Sequence, residues 1–103
     1  MKTHRLNALV EYASNDEVLR ALLKVTVEAA LEHPRSTETY HWGWDDAMQH
    51  VKEIMAEEAL APRSALMSVV AATDETRPEW DVNMAGGWDD AMSRVRDLVE
   101  GAL

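Results

Sequence analysis

The chain has 103 residues, 47% of them hydrophobic, and carries ten basic against nineteen acidic side chains for a net charge of −9. That length accommodates one domain with one core, and the apolar fraction excludes a disordered chain. The absence of cysteine excludes disulfides, thiol chemistry and the thiolate ligands of a structural zinc site.

In chain order, Leu6, Leu9, Val10 and Ala13 share one face of a short first helix. Ser14 followed three residues later by Glu17 has the form of a capping box, with Asn15 and Asp16 as alternative caps. It announces a second helix from about Asp16 to His33, which Pro34 ends. This helix is apolar around most of its circumference (Val18, Leu19, Leu22, Leu23, Val25, Val27, Ala29, Ala30, Leu31). Such a helix belongs in the middle of a bundle or against a second subunit. Glu17, Arg20, Lys24, Glu28 and Glu32 form its narrow polar strip, and Lys24 with Glu28 is spaced for an ion pair.

The third helix is expected to start between Thr37 and Trp44 and to reach about Leu60. Its buried stripe is Tyr40, Trp44, Ala47, Met48, Val51, Ile54, Met55 and Ala59. Pro62 stops it and suits the first turn of the next helix, Ser64 to about Thr73. In isolation Leu66-Met67-Ser68-Val69-Val70 also reads as a short strand, because valine favours strands. Pro78 is placed to open the last helix, whose stripe is Trp80, Met84, Trp88, Ala91, Met92, Val95, Leu98 and Val99. Gly86-Gly87 interrupts that stripe, so the helix is kinked there, starts there, or meets a neighbouring backbone.

A 44-residue self-match ties these elements together. Gly-Trp-Asp-Asp-Ala-Met occurs at Gly43–Met48 and again at Gly87–Met92, and the same offset pairs Ala21 with Ala65, Leu22 with Leu66, Val25 with Val69 and Val51 with Val95. A fixed-period match of this kind sets architecture before any local reading does, and its length suits a two-helix unit. It tips residues 64–73 to helix by alignment with the second helix. The expected fold is therefore all-α: a small bundle of about five helices in a single domain, residues 1–103. A short N-terminal helix (residues 1–16) precedes two αα-hairpin repeats, 17–60 and 61–103. Folding back as a bundle, or pairing as a symmetric homodimer, would close the core.

The motif itself has a structural account. Tandem acids at a helix start complement the positive end of the helix dipole, the tryptophan and Ala-Met pair face inward, and glycine permits close approach. The functional alternative is a metal-dependent, hydrolase-like protein in which Asp45, Asp46, Asp89 and Asp90 converge on one acidic cleft. His41 with Asp45 and Asp46 with His50 also have chelating i,i+4 spacing, but the second copy has Ala85 and Arg94 where the first has His41 and His50. No nucleophile–base set and no phosphate-binding glycine loop is present. Trp42 points away from the Tyr40–Trp44 stripe and lies in the most acidic third of the chain. Residues 36–61 hold six acids against Lys52 alone. An exposed indole among carboxylates suits a binding anchor, and packing against the first helix or a second subunit would explain it equally well.

The two Gly-Trp-Asp-Asp-Ala-Met…Val stretches resemble the Gly-aromatic-Asp/Asn-x-Ala helix starts of short proteins from actinobacteria and their phages, and the Arg-over-Lys, Ala-rich composition is similar to theirs. The resemblance covers the helix start in each copy, implies no activity, and suggests a phage or mobile-element accessory protein that binds a host protein.

The sequence thus points to a non-enzymatic, acidic interaction module without cofactor or metal. Its partner-binding face is Trp42, Asp45, Asp46, His50, Glu53 and Glu57, and its partner is a protein with a basic surface. Direct nucleic-acid binding needs the opposite charge; imitation of DNA phosphates by carboxylates is a special case of the same reading. With no apolar run near the roughly 20 residues that cross a bilayer and no signal-peptide core, a cytoplasmic protein without membrane contact is expected.

Overall fold

Five α-helices, and no strand among the described residues, make up the computed structural model: α1 (His4–Tyr12), α2 (Asn15–Leu31), α3 (Glu38–Glu57), α4 (Pro62–Ala72) and α5 (Val82–Ala102). It describes the backbone of residues 4–31 and 37–103, and the side chains of residues 5–27 and 37–103. The expected stop at Pro34 and the Lys24–Glu28 pair fall outside these limits.

Helix starts follow side-chain chemistry. At α2 the capping box forms in both directions: the Glu17 amide donates to Ser14 Oγ (3.2 Å), and the Ser14 amide donates to Glu17 Oε1 (3.0 Å). These bonds favour the ionised carboxylate and hold the Glu17 pKa below its ordinary value. Thr37 caps α3 by accepting from the Tyr40 amide. The last helix begins later than Pro78 suggests. Asp81 accepts from the Asn83 amide (2.9 Å) and is the cap, so Pro78 lies in a turn that Trp80 N–H closes on the Arg77 carbonyl (3.1 Å). Trp80 consequently precedes α5 and does not belong to its stripe.

At the other end of α3, the helix stops at Glu57 and not at Leu60, which leaves Ala59 exposed. Glu58 takes the C-cap and accepts from Ser64 Oγ (2.7 Å), tying the turn to α4. Pro62 is in the first turn of α4, as expected, and the valine-rich segment behind it is helical. Two arginines serve helix C-termini, where unpaired carbonyls and the negative dipole end favour a cation. Arg63 donates to the Val10 and Glu11 carbonyls of α1, and Arg96 to Thr73 O (2.7 Å) at the end of α4.

Buried residues from all five helices form one core: Leu6 and Val10 of α1, Val18, Ala21 and Val25 of α2, Leu66, Val69 and Val70 of α4, and the Trp44–Val51 and Trp88–Val99 stripes of α3 and α5. The Cα radius of gyration is 13.3 Å, close to the ~13 Å of a globular domain of about 100 residues. The helices therefore fold back on one another and do not stack in line.

The closest packing is between α3 and α5. They begin at Glu38 and Val82, the same 44-residue spacing as the sequence match, whereas α2 and α4 differ in length, 17 against 11 residues. At the α3–α5 crossing the two motif glycines face each other's backbone. A Cβ on Gly43 would lie 1.8 Å from Met84 O and 3.0 Å from Trp88 N; one on Gly87 would lie 2.0 Å from Tyr40 O and 2.9 Å from Trp44 N. Each glycine thus meets the residues three before and one after the other, the reciprocal pattern of a twofold contact. In place of a methyl group, each presents a Cα–H to a carbonyl. Gly86 has no such neighbour, and α5 runs through both glycines as one helix. Of the three expectations for Gly86-Gly87, close backbone approach is the one found, and at Gly87 alone.

Candidate functional site

On α3, Trp42, Asp46, Gln49, Glu53 and Glu57 recur at intervals of three and four and are all exposed, Trp42 by 50%. Asp45 is exposed on the flank of this face. His50 departs from it. Its ring is turned toward the link between α4 and α5, with Nε2 2.9 Å from Glu75 Oε2 and its centroid 5.7 Å from that of Trp88.

Beside this face lies a cleft of about 240 Å³ lined by Asp46, Gln49, His50, Glu53, Arg77, Trp80 and Trp88. Three of the six expected partner-binding residues (Asp46, His50, Glu53) therefore meet in one place. Trp42, Asp45 and Glu57 are not part of its lining. The opposite wall is built by the α4–α5 link. Trp88 is 2% exposed, and its indole N–H donates to Glu75 O (2.9 Å). Trp80 packs on it edge to face, with centroids 5.6 Å apart at 84°. The Arg77 guanidinium covers the Trp88 ring at 3.8 Å and is 5.7 Å from Trp80. Arg77 donates to Thr76 O (3.0 Å) and forms no ion pair among the described residues.

Sequence reasoning missed Arg77 and Glu75. Both lie in the irregular link, and nothing in their local pattern marks a tertiary contact with Trp88 or His50. A larger hollow, about 380 Å³ between α2 and the start of α4, is lined mainly by apolar atoms of Val18, Leu19, Ala61 and Pro62. Its one charged side chain, Arg63, is already committed to the Val10 and Glu11 carbonyls and to Asn15 Oδ1.

The four motif aspartates do not converge. Asp46 lines the tryptophan cleft, Asp89 lines a separate hollow with Thr73 and Arg96, and Asp90 accepts the Tyr40 hydroxyl proton. Among the described residues no three histidine or carboxylate side chains are grouped to hold a metal ion. The placement of Asp46, Asp89 and Asp90 in different surroundings gives the metal-dependent alternative no shared acidic cleft among the described residues.

Burial and the Asp90 carboxylate together push the Tyr40 pKa up to about 12. A raised folded-state value means that the stability contributed by this group is intact below the ordinary value of 10 and is lost as pH climbs from there to about 12. Tyr40→Phe is expected to reduce the fall in melting temperature across that window. An equal fall in both proteins would show that Tyr40 is not its source.

No helix among the described residues is long and apolar enough to cross a membrane. The chain matches no protein-family model, no curated protein and no solved structure.

Proposed function

We propose that the chain is a non-enzymatic interaction module whose acidic α3 face, with the adjoining tryptophan cleft, receives a basic segment of a protein partner. One observation carries this reading. Asp46 and Glu53, two carboxylates of the exposed α3 face, line the same cleft as Trp80 and Trp88. A cleft with aromatic walls and an acidic rim suits a cationic side chain on an otherwise polar ligand. Trp42, half exposed on the same face, extends the surface beyond the cleft, and Asp45 and Glu57 add charge at its edges. The net charge of −9 favours rapid encounter with a basic surface and opposes direct contact with phosphates.

A phage or mobile-element accessory protein acting in the cytoplasm on a host protein fits this description, with DNA mimicry as its special case. A homodimer belongs to the same proposal. Its contact would be the stripe Leu19, Leu23 and Val27, which recurs every four residues on α2 and is 52, 63 and 47% exposed.

Affinity capture tests the acidic face. A partner recovered by the wild-type chain at low salt is expected to be lost with the Asp46→Lys/Glu53→Lys/Glu57→Lys triple variant, weakened by Trp42→Ala, and released by raised ionic strength. Undiminished recovery by both variants would remove this face from the account.

A further inference from the structure

Within the cleft, one guanidinium is already seated on an indole, and it belongs to the chain itself. We infer that the cleft is a receptor for an arginine side chain of the basic partner, and that Arg77 is a resident occupant which the incoming arginine displaces. This rests on the reading of the α3 face as a partner-binding surface and names the side chain it takes.

The shape of the site selects a planar cation. Arg77 Cζ lies 3.8 Å from the centroid of the Trp88 ring, while Trp80 stands at 84° to that ring as a side wall. A guanidinium stacks on such a face through both its charge and its plane, which a lysine ammonium, a compact and strongly hydrated point charge, does not.

The resident cation leaves the site electrostatically incomplete. Arg77 shares the cleft with Asp46 and Glu53, yet its hydrogen bond goes to the neighbouring Thr76 carbonyl and not to either carboxylate. Its backbone is fixed on the link between α4 and α5, whereas Asp46 and Glu53 stand on α3. An arginine entering from the α3 side has no such restriction. It can lie on Trp88 and pair with Asp46 or Glu53 at once, in the paired geometry that guanidinium and carboxylate favour. The ligand therefore gains a contact that the occupant lacks. Release of Arg77 gives up one solvent-exposed hydrogen bond and its stacking on Trp88, and the incoming guanidinium restores the stacking.

Two matched peptides test this, one arginine-rich and one lysine-rich. Each is titrated into the full chain while tryptophan fluorescence is followed. The arginine peptide is expected to bind more tightly, and a joint Asp46→Asn/Glu53→Gln change to abolish the preference. Arg77→Gln is expected to tighten arginine-peptide binding about tenfold, as for a site that is about nine-tenths self-occupied, with little change for the lysine peptide. Arg77→Lys, which keeps the positive charge of the link but loses the stacking plane, should tighten binding to a smaller extent and covers the case in which the glutamine variant folds poorly. Equal affinity for the two peptides, no binding of either, or unchanged arginine affinity in both Arg77 variants overturns the inference. Those outcomes leave the acidic-face reading standing if the triple lysine variant still loses the captured partner; if that variant retains it, the reading itself has failed.

Discussion

Alanine at Gly43 or Gly87 is expected to destabilise the protein by about 3 kcal/mol or more, the upper range for overpacking a well-packed contact. The added methyl would sit 1.8 Å from Met84 O in the first case and 2.0 Å from Tyr40 O in the second. Both obstacles are main-chain atoms inside a helix, so no rotamer change relieves them. Relief requires α3 and α5 to move apart, and separation there loosens Trp44, Ala47, Trp88 and Ala91 together, all of which are buried at or near the crossing. Against a typical net stability of about 5–15 kcal/mol, that is a large fraction. Gly86→Ala is the matched control. Nothing beyond its chain neighbours and its own stretch of helix backbone lies within 4 Å of its added methyl, and the gain in helix propensity is expected to stabilise the chain by up to about 1 kcal/mol. Urea unfolding midpoints should separate the neighbouring positions widely, and similar values for Gly86→Ala and Gly87→Ala would contradict the crossing. The Gly43→Ala/Gly87→Ala double variant should cost less than the sum of the two, because the first separation makes room for the second methyl.

Trp88→Ala ranks with the glycine changes, with an expected cost of about 3–5 kcal/mol for truncating a buried indole. Trp88 joins the core to the cleft: its N–H holds the Glu75 carbonyl, and its ring carries Arg77, Trp80 and His50. The milder change to phenylalanine gives a sharper test, because the two motif tryptophans differ in one respect. The Trp44 indole N–H is buried with no hydrogen-bond partner among the described residues, whereas that of Trp88 is bonded at 2.9 Å. Removing an unpaired buried donor relieves a desolvation cost, while removing a paired one strands its acceptor. Trp44→Phe is therefore expected to be nearly neutral, and Trp88→Phe to cost about 1–3 kcal/mol more. Thermal melts of the two variants compare them directly; equal losses would mean that the Glu75 bond contributes nothing.

The helices and their inward faces were legible because each rests on local, periodic signals. Val10, Val18, Val51, Leu66 and Val95, one from each helix, each belong to an apolar face read from the sequence and are buried in the structure. The start of α2 was readable to within a residue or two from the Ser14–Glu17 spacing, since both capping bonds join residues three apart; the structure selects Ser14 over Asn15 and Asp16. The start of α5 was misplaced because proline at a first turn and aspartate as a cap are both sound signals, and the sequence does not rank them. At Pro78 the chain turns and Asp81 begins the helix.

The candidate site was only half legible, for a different reason. Helical spacing placed Trp42, Asp46, Glu53 and Glu57 on one face of α3, a property of one segment. The turn of His50 toward Glu75 depends on residues 25 positions apart, and the stacking of Arg77 on Trp88 on where an irregular link settles. No pattern within either segment encodes such meetings. The different surroundings of Asp46, Asp89 and Asp90 were hidden in the same way, because they depend on how the helices pack.

That approach also limits how the cleft can respond to a ligand. With main chain seated on main chain at Gly43 and Gly87, there is no cushion of side chains over which α3 and α5 might slide or roll. Asp46 follows one clamped residue by a single turn, and Trp88 is the immediate neighbour of the other. Their relative placement is accordingly rigid before anything binds, and induced fit at this surface is confined to the wall that carries Arg77 and Trp80.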